Sequence, residues 1–65
     1  MPNLEQLTIK LKQDNKSDAE EVKRLEILRR NTTSEFYRLS YQKTIHVLNA
    51  RRELRREILE YLKLE

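Results

Sequence analysis

Apolar and polar residues alternate without interruption from Leu7 to Lys12, and apolar residues then recur at helical spacing along most of the remaining chain. As a strand, Leu7-Thr8-Ile9-Lys10-Leu11-Lys12 places Leu7, Ile9 and Leu11 on one face and Thr8, Lys10 and Lys12 on the other. The β-branched Thr8 and Ile9 favour that state. Leu4, Leu7 and Leu11 also fit one face of a helix that Asn3 would cap, so the strand has a helical rival. A lone strand leaves its backbone donors and acceptors unpaired, and the strand reading therefore requires a second chain.

The polar stretch Asn15 to Ser17 reads as a break, and Ser17-Asp18-Ala19-Glu20 has the form of a capping box. Ala19, Val22, Leu25 and Leu28 then predict a first helix near residues 18 to 30. Asn31 suits a helix end, and Thr32 with Glu35 forms a second box. From about Thr33 a second helix carries Phe36, Leu39, Tyr41, Ile45 and Leu48. Leu54, Ile58 and Leu62 continue the pattern as a packing face within the chain or between chains. This helix either runs about 30 residues, long for a globular protein, or bends near Asn49.

Composition narrows the class. A 65-residue chain buries a modest core and commonly needs disulfides, a metal or a partner subunit. The absence of cysteine and the single histidine, His46, exclude disulfides and any cysteine- or histidine-rich metal site. Oligomerisation is left as the source of extra core. No apolar run approaches the roughly 20 residues of a membrane span and no signal segment follows Met1-Pro2, so a soluble, cytoplasmic chain is expected. For a plasmid or viral chain that means the host-cell cytoplasm. Charged residues make up 38% of the chain and the net charge is +3, which permits nucleic-acid binding without demanding it.

The order of strand, helix, capped turn and helix resembles the ribbon-helix-helix DNA-binding family of the MetJ, Arc and CopG repressors. Two stretches carry the likeness: Leu7-Thr8-Ile9-Lys10-Leu11-Lys12 and Thr32-Thr33-Ser34-Glu35-Phe36-Tyr37-Arg38. With Val22 and Leu25 the match spans residues 7 to 48. The chain departs from the family where Arg30-Asn31 replaces the usual glycine, and its first connection is about one turn longer. The resemblance implies a mostly α fold with one short N-terminal β-strand, assembled as a homodimer through an intermolecular antiparallel β-ribbon. Residues 1–6 would form a short arm, 7–48 the domain and 49–65 a C-terminal helical extension.

On that basis the ribbon enters the major groove of double-stranded DNA and Thr8, Lys10 and Lys12 contact bases. Thr32, Thr33 and Ser34 would hold a phosphate at the amino end of the second helix. Leu7, Ile9, Leu11, Val22, Leu25, Phe36, Leu39 and Ile45 would form the dimer core, with residues 49–65 available to join dimers. The expected function is a sequence-specific transcriptional regulator, and specifically a repressor. Alternatives of the same fold are a plasmid partition or mobilisation accessory and an antitoxin. A different class is an all-helical protein–protein interaction module without nucleic acid, in which residues 4 to 14 are helical. The arginines at 51, 52, 55 and 56 read as a solvated, salt-bridged face. With no phosphate-binding glycine loop, no paired histidines and no Ser-His-acid arrangement, a non-enzyme without cofactor or metal is expected.

Overall fold

Leu4 to Asn31 forms a single 28-residue helix, α1, and Glu35 to Lys63 forms a 29-residue helix, α2. This computed structural model describes residues 3–63. Met1 and Pro2 of the expected arm and Leu64 and Glu65 of the expected extension lie outside the described residues. Three residues, Thr32 to Ser34, connect the helices, and α2 folds back antiparallel along α1.

The expected strand is corrected by this arrangement. Among the described residues there is no strand, and Leu7 to Lys12 lies inside α1, so the β-ribbon has no basis. The helix wins because every condition for it is met locally. Asn3 caps its start, with the side-chain oxygen accepting from the Gln6 amide at 2.8 Å. Thr8 satisfies its hydroxyl by donating to the Leu4 carbonyl at 2.8 Å. The helical preferences of Thr8 and Ile9 are only about 0.5 kcal/mol each below the best formers, whereas an unpaired strand forfeits a whole row of hydrogen bonds. No glycine or proline interrupts the run.

The expected break at Asn15 to Ser17 is likewise helical, so Ser17 is not a cap. The first helix stops at Thr32, which turns extended (φ −83°, ψ 141°) while its amide donates to the Leu28 carbonyl at 3.0 Å. Ser34, rather than Thr32, caps α2, accepting from the Tyr37 amide at 3.4 Å. Thr32 instead accepts from the Ser34 amide at 3.2 Å, a hydroxyl-closed turn. Helix α2 passes through Asn49 unbroken.

The two helices meet along a seam spaced alternately four and three residues apart. It runs through Leu11, Asn15, Asp18, Val22 and Leu25 on α1, and through Tyr41, Ile45, Leu48, Arg52, Arg55, Leu59 and Leu62 on α2. All of these are buried or half-buried. A strict seven-residue repeat of this kind keeps one face of each helix turned to its neighbour. Val22, Leu25, Ile45 and Leu48 are the buried core, each still 5–8% exposed, with Leu28 and Tyr41 packed against them. The molecule is a rod of 48 × 17 × 15 Å, with a radius of gyration of 14.9 Å. A compact domain of this length would have about 11 Å.

Candidate interaction surface

The seam is apolar near the turn and polar in its middle. Asp18 and Arg55 face each other across the helices with only 14% of each side chain exposed, and the Arg55 guanidinium donates to the Asp18 carboxylate at 2.5 Å. Arg55 also donates to the Asn15 side-chain oxygen at 3.3 Å. The Asn15 amide in turn donates to the Arg52 backbone carbonyl at 3.2 Å, and Arg51 lies 3.8 Å from Asp18. Half-buried Leu11, Leu59 and Leu62 flank this layer on the side away from the turn. A polar layer between apolar ones sets the alignment of two helices, because any slip leaves charges against aliphatic side chains.

Placing arginines on the seam rotates the apolar residues of α2 outward. Phe36, Leu39, Val47, Leu54, Ile58 and Tyr61 are all exposed, from 38% at Ile58 to 75% at Phe36. At about 100° per residue they fall within an arc of roughly 100°, centred on the order of 140° from the seam. Ser40, Lys43, Ala50 and Glu57 lie in the same arc and are exposed too. Shallow grooves run along its first half, lined by Leu39, Lys43, His46 and Val47 and by Phe36 and Ser40. At the amino end of α2, Phe36 meets Tyr37 edge-to-face with centroids 5.5 Å apart, and Tyr37 stacks on Tyr41 at 6.3 Å.

The residues expected to contact bases are dispersed by the helix. Thr8 is turned to its own backbone, Lys10 pairs with Asp14 at 3.7 Å, and Lys12 is exposed. Successive odd or even positions on a helix point to opposite sides, so Lys10 does not share a face with Thr8 and Lys12. Thr32, Thr33 and Ser34 stay together in the turn, with the Thr32 and Ser34 hydroxyls accepting from backbone amides. Of the expected core, Val22, Leu25 and Ile45 are buried within one chain and Leu11 is half-buried. Leu7, Ile9, Phe36 and Leu39 are exposed.

The expected stripe of Leu54, Ile58 and Leu62 divides, with the first two facing outward and Leu62 on the seam. Arg55 joins the interhelix layer, while Arg56 stays on the surface with Glu53 at 3.4 Å. Glu21 and Arg24 form a surface pair that holds the Glu21 carboxyl below, and the Arg24 guanidinium above, their ordinary ranges through their mutual hydrogen bonds. The polar layer of Asn15, Asp18 and Arg55 was missed by reading each helix alone. Aligning both helices on a seven-residue repeat is the signal that finds it.

Among the described residues no helix is long and apolar enough to cross a membrane, and no group of three or more potential metal-ligating side chains comes together. Comparison with protein-family models, with curated proteins and with solved structures finds no match to this chain.

Proposed function

We propose that this chain is an α-helical protein–protein interaction module, in which α1 braces α2 and α2 presents its outward face to a protein partner. The single observation that carries the reading is the concentration of six large exposed apolar side chains on one arc of one helix. Isolated exposed apolar residues are ordinary on protein surfaces. An arc this rich in large apolar side chains, with Ser40, Lys43 and Glu57 set among them, is the pattern of a contact surface. The geometry also suits the class: a helix lying against another helix uses anchors spaced three and four residues apart, as Phe36 and Leu39 are and, beyond the intervening Lys43, as Val47, Ala50, Leu54, Ile58 and Tyr61 are. The polar layer serves this role by fixing the rotation of α2, so that one defined face looks outward. Readout of DNA through a ribbon is not carried forward, because the strand it needs is part of α1.

The test is site-specific photo-crosslinking from Val47 in the cell that makes the protein, with Glu20 on α1 as the control position. Protein adducts from Val47 alone are expected. Recovery of only free chain from both positions overturns the reading.

A further inference from the structure

The outward face of α2 has an internal symmetry that identifies its occupant. Its positions are arranged as mirror images about the midpoint between Leu48 and Asn49. Phe36 and Tyr61 are equidistant from that point, as are Leu39 and Ile58, Ser40 and Glu57, Lys43 and Leu54, and Val47 and Ala50. Aromatic residues stand at both ends, branched aliphatic residues inside them, and small or medium residues at the centre. A two-fold contact needs a surface complementary to itself, and an antiparallel pair of α2 helices meets that need in its aromatic, aliphatic and central layers.

We infer that the partner is a second copy of this chain, packed α2 against α2 antiparallel about a two-fold axis at Leu48–Asn49. This rests on the interaction reading above and names its occupant. In this arrangement Phe36 packs on the partner's Tyr61, Leu39 on the partner's Ile58, and Val47 on the partner's Ala50. The small Ala50 lets the helices approach closely at the axis.

The charges within the face select the direction. Lys43 lies across from the partner's Leu54, and the partner's Glu57 is one short turn further on, about 4.5 Å along the axis. A lysine side chain spans that distance, so each Lys43 meets the partner's Glu57 and the pair occurs twice by symmetry. A parallel, in-register pairing would instead set Lys43 against Lys43 and Glu57 against Glu57, which disfavours it. The dimer is a row of four helices with the two α2 helices inside. It removes the exposed Phe36, Leu39, Val47, Leu54, Ile58 and Tyr61 from water and supplies the second copy that so short a chain commonly needs.

The experiment is sedimentation equilibrium of the purified full chain over a range of concentrations. It compares wild type with Lys43→Glu, Glu57→Lys, the double exchange, and Val47→Glu. All altered positions are exposed in the single chain, so helicity by circular dichroism should be unchanged and reports folding separately. Wild type should sediment as two chains. Each single charge reversal should raise the dissociation constant about tenfold or more, the double exchange should restore it to within about threefold, and Val47→Glu should give monomer; tenfold corresponds to 1.4 kcal/mol.

Mixing Phe36→Cys chains with Tyr61→Cys chains should give mixed disulfides in preference to like-with-like ones. A dimer indifferent to the charge exchanges, or like-with-like disulfides, overturns the antiparallel pairing. A folded monomer at every concentration overturns self-association. The crosslink from Val47 in the cell then decides separately whether the face takes another protein.

Discussion

Removing the Asp18 carboxylate should destabilise the hairpin by about 2 kcal/mol, and the pair Asp18–Arg55 should show strong thermodynamic coupling. Two limits bracket the value. Exposed ion pairs contribute about 0–1 kcal/mol, and stripping one partner from a buried pair costs about 3–5 kcal/mol because a charge is stranded. At 14% exposure on both sides the pair lies toward the buried limit. Two features soften the loss in Asp18→Ala: Arg55 keeps Asn15 at 3.3 Å, and its long stem lets the guanidinium reach water. Replacing both residues, as Asp18→Leu with Arg55→Leu, completes an apolar seam and should be neutral or stabilising.

The assay is thermal and urea unfolding of wild type, both single leucine variants and the double, followed by circular dichroism at fixed chain concentration. A change of 2 kcal/mol moves the midpoint of a domain this small by roughly 8–16 °C. A cycle with coupling above about 1.5 kcal/mol supports the layer as an interhelix clamp. Single variants within about 0.5 kcal/mol of wild type, or additive effects, would refute the argument and return Arg55 to a solvated surface role.

Three further outcomes follow from particular residues. Ile9→Ala should leave stability unchanged or raise it by a few tenths of a kcal/mol, since Ile9 is half exposed on a helix and alanine is the better helix former. A loss above 2 kcal/mol in urea unfolding would instead point to a buried strand residue. Ser34→Ala should cost about 1 kcal/mol through loss of the α2 cap, whereas Thr33→Ala, with no capping bond, should be near neutral in the same assay. The Glu21 carboxyl, lowered by its hydrogen bond with Arg24, supports folding above the ordinary carboxylate range and loses that support as pH falls through its lowered value. A carboxyl titration followed by NMR should show the Glu21 midpoint return to the ordinary range in Arg24→Gln.

Much of the fold is written locally. Val22, Leu25, Ile45 and Leu48 announce their faces by spacing, the turn is marked by Asn31 to Ser34, and nothing after Asn49 halts α2. The start of the chain is not so legible, because Leu7 and Leu11 satisfy both a period of two and a helical i, i+4 step. Only Ile9 distinguishes the states, and in the structure it faces solvent. The apparent loop at Asn15 to Ser17 misleads for a different reason. Asn15 and Asp18 are polar because Arg52 and Arg55, nearly forty positions away, complete their hydrogen bonds, and no local window contains both halves. The same long-range pairing turns Leu54 and Ile58 outward, where spacing alone would bury them. The interaction surface therefore becomes readable only after the seam is assigned.

The most direct test of the account is NMR on a mixture of isotope-labelled and unlabelled chains. It reads the backbone state of residues 7–12 and every contact between chains together. The hairpin predicts helical carbon shifts from Leu4 through Asn31, and intermolecular contacts confined to α2, foremost between Val47 and the partner's Ala50. Extended shifts at Thr8 to Lys12, with amide contacts between chains in that segment, would contradict it.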